Sequence, residues 1–469
     1  MKGSRILAYI LKAMLLSAVM LVMALHPIHA EAAEASDYIK IGLKYGTNVM
    51  SQSIQSPDGF VLGSVSENGF TETLPLPGYQ ELIATVQDGH VELRDSGGVL
   101  ISADIGINGC LMPYGEGDHC ILSIDGQRYR GGILLKVSNN TLSVINYLTM
   151  NEYLYGVVHR EMGQSNPLEA LKAQAITART FAEVGRGRHY ENGFDLCAVT
   201  HCQVYGGCKD EYASTTRAVD ETDGMIIRYR GEPAEVYYHK NSGGHTQNSE
   251  DEWSTRTPYL RGVPDAYSPE YTWQATINFD TLYQKLLQAQ LDPGTVKSVA
   301  IGGRDGSGAV SSLIIRGEKG EVELSKSRIR TVLGNSLVRS RHFVIGENYT
   351  GNLPSGSDIK LAMLSANGMK TVTDPGTIHV LSERGKVQAA VVTSLSLTKG
   401  NGTVKLEAPA KEPGDFDDSI TANRGALILT GRGYGHGVGM SQDGAIEMAK
   451  QGMGFMDILN YYFTDIEVD

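Results

Sequence analysis

Tryptophan, cysteine and proline are scarce in this chain, and long apolar runs are missing beyond its amino-terminal segment. The 469 residues include 2 Trp, 5 Cys and 15 Pro. So little proline, with 41% hydrophobic and 20% charged residues, excludes a collagen-like or largely disordered chain. Five cysteines cannot all pair within one molecule. Lys and Arg total 41 against 53 Asp and Glu, a net charge of −12 without any basic run, so a nucleic-acid backbone is not an expected partner. No Gly-x-Ser-x-Gly elbow is present, which argues against a serine hydrolase, and His159-Arg160-Glu161 is not the His-Glu-x-x-His signature of zinc proteases. No repeat of 20 to 50 residues is visible.

Glycine is what the chain has in excess: 55 copies, about 12% against the usual ~7%. With 23 Tyr, this suggests many tight turns between short strands and an α+β, β-rich mixed architecture rather than a helical bundle. The length suggests two or three folding units. Lys2, Arg5 and Lys12 precede an apolar run from Ala13 to Leu25 and small residues at Ala30, Ala32, Ala33 and Ala35. Residues 1–35 therefore read as a signal peptide, cleaved or retained as a membrane anchor, and place the remainder outside the cytoplasm, secreted or tethered through that segment.

Residues 36–128 read as an amino-terminal β-rich region, with runs such as Ile39 to Leu43, Phe60 to Val65 and Val91 to Arg94, then Ile133 to Val137 and Leu142 to Tyr147 beyond it. Asp125-Gly126 and Asn139-Asn140 are expected hairpin turns, and Cys110 with Cys120 could close a hairpin disulfide. Residues 129–276 hold most of the chemistry. A helix is expected from Asn166, with Asn166 as N-cap, Pro167 first and Glu169 third, an apolar stripe through Leu168, Leu171, Ala175 and Ala178, and glycines at 185 and 187 to end it. Residues 213 to 276 read as strand and turn. Residues 277–349 continue as α+β, residues 350–425 as a separate β-rich insert, and residues 426–469 as a glycine-rich motif followed by helices.

Four clusters could carry chemistry. Glu161 ends a strand-like run, Val157-Val158-His159-Arg160, and in an apolar pocket its pKa would rise far enough for it to donate a proton. His189, Cys197, His201, Cys202 and Cys208 offer thiolate and imidazole ligands for a tetrahedral zinc ion, with a disulfide between two of the thiols as the alternative. Tyr237 through Thr246, with Trp253 just downstream, brings hydroxyls and aromatic faces around a Gly-Gly turn, a composition suited to a sugar-binding groove. Gly431 through Gln442 has glycine at every second position, so something must approach its backbone closely. If that something is a glycan, a methyl group added at Gly435 should obstruct it without unsettling the fold, and His436 should supply a polar contact.

Taken together these segments resemble the SpoIID/LytB family. The resemblance is carried by Tyr129-Arg-Gly, Asn151 through Val158 with Glu161-Met162, Glu169 through Thr180, His201 through Tyr205, Ser242 through Thr246, and Gly431 through Ala445. It implies a peptidoglycan lytic transglycosylase that cuts between N-acetylmuramic acid and N-acetylglucosamine and leaves a 1,6-anhydro end, in sporulation or wall remodelling. It assigns Glu161 as the acid, Lys172 and Arg179 on one helix face and Tyr238 as substrate contacts, and a structural zinc to His189, Cys197 and Cys202 with His201 adjacent. Tyr205, Ser242, His436 and Gln442 complete the expected substrate-binding set. Gly163 stands where the family carries proline, and Asn166 where it carries tryptophan. Two other readings remain open: a non-catalytic amidase enhancer that binds peptidoglycan and activates a cell-wall amidase, and a zinc hydrolase.

Overall fold

The computed structural model describes residues 37–115, 121–346 and 425–469, together with six strands between Leu361 and Glu407. The amino-terminal segment and Cys120 lie outside the described residues. The fold is mixed α+β and rich in strand, as the composition implies. Among the described residues no helix is long and apolar enough to cross a membrane.

Two antiparallel-rich sheets form the first layer. One has seven strands in the order 196–197, 38–44, 141–149, 132–138, 109–113, 59–66, 69–77, and the other six in the order 127–129, 122–124, 51–55, 81–87, 90–95, 100–102. Alternating residues such as Ile54, Phe60, Leu82, Leu93, Leu111 and Ile133 are buried in the core these sheets share. The turns at Asp125-Gly126 and Asn139-Asn140 have positive φ at both residues, as a type I′ hairpin requires. The larger sheet runs across residue 128, because Tyr38–Lys44 pairs with Thr141–Thr149.

Helix α1 (Met150–Met162) follows directly, where the Val157-Val158 pair reads as the end of a strand. Thr149 decides the outcome: its hydroxyl accepts from the Glu152 N–H at 3.3 Å and the Glu152 carboxylate accepts from the Thr149 N–H at 2.9 Å. This capping box starts a helix whose Tyr153, Leu154, Val157 and Val158 are fully buried, and packing overrides the β-preference of the valines. Helix α2 (Leu168–Val184) is buried on nearly every side rather than along a narrow stripe. Its alanines let α1 and the carboxyl-terminal helices approach closely. Its N-cap is Pro167, not Asn166, whose side-chain amide turns back to donate to the Met162 and Gly163 carbonyls at the end of α1.

Helix α3 (Ala213–Asp220) and the single turn α4 (Ser249–Glu252) interrupt the stretch expected to be strand and turn. A second body follows. Its strands Thr272–Asn278, Ala426–Arg432 and Phe343–Ile345 form one antiparallel sheet, and Val296–Arg304, Val310–Gly317 and Glu321–Ser325 another. Helices α5 (Phe279–Gln288) and α6 (Ser327–Leu333) contribute to its separate core. The strand Phe343–Ile345 pairs with Ala426–Arg432, so the intervening residues leave and re-enter at neighbouring positions. The strands described there form three hairpins. After Arg432 the chain crosses back to the first body, pairs Met440–Ser441 in parallel with Tyr238–His239, and ends in α7 (Gln442–Lys450) and α8 (Phe455–Tyr462) against α2.

Removing the capping hydroxyl with Thr149→Ala should lower unfolding free energy by about 1 kcal/mol, read from a urea melt. An unchanged midpoint would mean that tertiary packing alone holds the start of α1.

Candidate active site

Glu161 lies in the last turn of α1, which stops at Gly163 with φ 77°. Proline, fixed near φ −65°, could not adopt that conformation, so this helix end requires a residue such as glycine at 163. The Glu161 side chain enters a cleft of about 420 Å³ and is the one acid among the residues lining it. Phe181, Tyr237, Tyr238, Trp253 and His436 form its aromatic walls, and Gln203, Val204 and the loop from Thr200 to Cys202 its floor. Burial pushes the Glu161 pKa above the ordinary carboxyl value, opposed by hydrogen bonds from Tyr238, Gln442 and the Val204 backbone. Its position at the negative end of a helix also disfavours the anion.

A relay of hydrogen bonds fixes this acid. Tyr153 donates to the Gln203 side-chain oxygen at 3.1 Å, and the Gln203 amide donates to the Tyr238 hydroxyl at 3.2 Å and to the Ala178 carbonyl at 3.3 Å. Burial and the adjacent Glu161 hold the Tyr238 pKa well above its usual value, so this phenol stays a proton donor. Gln442, buried at the start of α7, is within hydrogen-bond distance of Gln174 at 3.3 Å and also reaches Glu161. Three segments distant in sequence thus converge on one carboxyl.

His436 lines the cleft with its ring, 5.4 Å from Trp253 and 6.0 Å from Tyr237 between centroids. Its Nδ1 accepts from the Val438 N–H at 3.1 Å, and it is also bonded to the Tyr238 backbone. Burial drives its pKa well below the usual imidazole value, so it is a neutral wall residue with its nitrogens engaged by the fold.

The glycine motif does not present a bare face to a ligand. Gly433, Gly435, Gly437 and Gly439 all have positive φ, and the atoms that an added Cβ would meet are protein atoms. At Gly435 it would lie 2.5 Å from His239 Cβ, and at Gly439 2.1 Å from the Tyr237 carbonyl oxygen. The close approach inferred from the alternation is real, but the partner is the chain itself, backbone and side-chain atoms of residues 237–247.

Four expected contacts are placed elsewhere. Lys172 pairs with Glu169 at 3.1 Å and Glu221 at 2.6 Å. Arg179 is buried and donates to the Thr222, Met225 and Val219 carbonyls and to Asn151. Tyr205 packs on Gly156 and donates to Asn146 at 2.9 Å. Ser242 is buried, accepting from the Gly244 N–H at 3.1 Å. None of the four is among the residues that line the cleft; Lys172 and Arg179 do share a helix face, but that face meets α3 and the turn after it. The cation at the cleft is Arg188, stacked 4.9 Å over the Phe181 ring. Arg188 and Phe181 were not singled out from the sequence; the adjacency of Arg188 to His189 was the available signal.

His189, Cys197, His201 and Cys202 place one ligand atom each within 4.8 Å of one another. The separations are 3.4 Å for Cys202 Sγ to His189 Nε2, 3.5 Å for Cys202 Sγ to His201 Nδ1 and 3.7 Å for Cys197 Sγ to His201 Nδ1. Tetrahedral zinc, with bonds near 2.3 Å to sulfur and 2.1 Å to nitrogen, would set that edge at about 3.6 Å, so the donor set fits. Cys197 and Cys202 are free thiols. Cys208 stands apart, its thiol pushed up to about 12 by burial and Glu211.

Comparison with known proteins bears out the resemblance to the SpoIID family. Residues 138–229 match the SpoIID family model, described as stage II sporulation protein. The chain is 26% identical over 344 residues to stage II sporulation protein D of Bacillus amyloliquefaciens, covering 69% of this chain and 75% of that protein. It is 27% identical over 353 residues to the amidase enhancer of Bacillus subtilis (strain 168), covering 73% of this chain but 44% of that one. An uncharacterized protein of Brachyspira hyodysenteriae is 25% identical over 349 residues, 74% of this chain and 73% of its own. The family-model match spans α1, α2 and the Cys/His cluster and stops before Tyr238.

Gly435→Ala should therefore destabilise the fold by more than about 1 kcal/mol, because it adds both a left-handed residue and a clash. Chemical denaturation checks this, and a wild-type midpoint would return the loop to the role of a ligand-facing surface.

Proposed function

We propose that this protein is a peptidoglycan lytic transglycosylase acting on the glycan strands of the cell wall, outside the cytoplasm. The observation that supports it best is the lone, half-buried Glu161 in an aromatic-walled cleft. Ordinary glycosidases place two carboxyl groups across the scissile bond, and this cleft lining has one. The substrate's own 6-hydroxyl then serves as nucleophile. Protonated Glu161 gives its proton to the glycosidic oxygen, and the bond from that oxygen to C1 of the muramyl sugar breaks. The 6-hydroxyl oxygen bonds to C1, and its proton returns to the Glu161 carboxylate. The products are a 1,6-anhydro end and a free 4-hydroxyl, with no water consumed. Tyr238 and Gln442 hold the carboxyl in place through both proton transfers. Tyr237 and Trp253 offer faces for pyranose rings, and Arg188 is the cation able to meet a muramyl carboxylate.

The Cys/His cluster would hold one structural zinc ion. Its thiolates and imidazoles would bind the metal and stiffen the loop that carries Val204, whose N–H contacts Glu161. The amidase enhancer relative supplies a second reading, in which the cleft binds glycan and the protein activates a cell-wall amidase. An enhancer has no need of an acid at residue 161.

Glu161→Gln should abolish release of anhydro-muramyl products from peptide-free glycan strands, read by mass spectrometry, with general acid catalysis alone worth roughly 10²- to 10⁴-fold. The stability effect has a defined sign. Because burial raises the Glu161 pKa in the folded state, its contribution is fully favourable below the unfolded pKa and is lost as pH rises through the folded one. Glu161→Gln should thus melt at or above wild type at neutral pH, and this difference should shrink in acid. Full cleavage by the variant would remove Glu161 from the catalytic role, and absence of anhydro-muramyl products from the wild-type protein would favour the enhancer reading.

Elemental analysis of protein prepared without added metal should give about one zinc per chain, falling in Cys202→Ser, and chelation should lower the melting temperature. A metal-free protein with a Cys197 to Cys202 disulfide would refute the zinc site.

A further inference from the structure

Trp253 forms one wall of the cleft, yet it sits at the end of α4, a single helical turn too short to be stable by itself. The last carbonyls of such a turn have no partner inside it. Here they are taken by cations from the second body. Lys326 Nζ donates to the Glu250 carbonyl at 2.7 Å and to the Trp253 carbonyl at 3.2 Å. Arg341 Nη2 donates to the Asp251 carbonyl at 2.9 Å, and its Nε donates to the Glu252 carboxylate at 2.7 Å. Arg341 is 1% exposed and is itself fixed from behind by Asp305 at 3.0 Å and the Val310 carbonyl at 2.7 Å. Lys326 has φ 49° and ψ −134°, a conformation seldom adopted by a residue with a Cβ and usually maintained only where its surroundings require it.

We propose that Lys326 is a positioning residue for the glycan cleft: the second body, through Lys326 with Arg341 behind it, sets the placement of the Trp253 ring against Tyr237 and His436. The second body thereby acquires a role in substrate binding although it does not line the cleft. The substrate named here rests on the proposed function; the placement of Trp253 does not.

Only two tryptophans are present, and Trp273 is buried in the second body, so Trp273→Phe leaves Trp253 as the sole reporter. Arg341→Ala would leave the Glu252 and Asp305 carboxylates buried without Arg341 and so perturb the fold itself, so the test uses Lys326→Met, which retains the aliphatic stem at a half-buried position. In the Trp273→Phe background this change should shift Trp253 emission to the red and increase its quenching by acrylamide, while thermal unfolding stays cooperative. Lys326→Arg, which can also donate to both carbonyls, should restore the spectrum. On peptide-free glycan strands, Lys326→Met should raise KM roughly three- to tenfold, the worth of one stacked ring, with kcat nearly unchanged. Unchanged emission and quenching in Lys326→Met would overturn the proposal, as would a lost spectrum that Lys326→Arg fails to restore. If the wild-type protein cleaves no glycan, the transglycosylase reading falls, and the fluorescence still decides the positioning role.

Discussion

The cleft depends on one seam, where the backbone of residues 434–440 lies against that of residues 237–247. Asn241 and Tyr434 exchange hydrogen bonds at 3.0 and 2.8 Å, Gln247 donates to Gly437 at 2.8 Å, and Met440 donates to Tyr237 at 3.1 Å. At Gly435 and Gly439 the approach leaves no room for a side chain, because a Cβ there would lie 2.5 Å from His239 Cβ and 2.1 Å from the Tyr237 carbonyl oxygen. The positive φ at successive glycines lets the loop turn repeatedly while keeping its backbone groups paired. The seam carries Tyr238 and Gln442 to Glu161 and places His436 beside Trp253. Without it, Glu161 would keep only its hydrogen bond to the Val204 backbone.

Much of this was legible in the residues, for reasons that can be traced. Hairpins marked by Asp125-Gly126 and Asn139-Asn140 are local, since the backbone conformation they need is available to few residue types. The helices after Asn278 and Ser441 also follow local signals, because each cap side chain accepts from the backbone three residues on. The cluster of His189, Cys197, His201 and Cys202 was legible because soft ligands at such density seldom occur for packing alone. Glu161 was found through the family resemblance, while its burial, which makes the proposed chemistry reasonable, came only with tertiary structure.

What stayed hidden depended on partners far away in sequence. Val157 and Val158 favour strand locally and are helical because α2 covers them. Lys172 and Arg179 do share a helix face, but only the placement of α3 shows that their charges meet Glu221 and backbone carbonyls. The alternating glycines disclosed that something lies close to them, and could not disclose whether it is a sugar or the chain itself. Asn166 has the chemistry of an N-cap and completes the preceding helix instead, a choice settled by where Gly163 sends the backbone.

The same seam also bears on the proton that the proposed reaction requires. Burial favours the neutral acid, whereas donors at Tyr238, Gln442 and Val204 favour the anion. A resting acid needs the first effect to prevail, and an intermediate base needs the second to be present once the proton has left. Two of those donors arrive through the seam, and the third belongs to the segment that follows the Cys/His cluster. Elements that are separate along the chain, the glycine loop and the loop of the Cys/His cluster, therefore act on one quantity, the proton affinity of Glu161. The second body acts on the other requirement, the position of an aromatic wall, through cations on α4. Under the proposed function, division of the two tasks between two bodies would let a glycan be gripped without disturbing the donors that tune the acid.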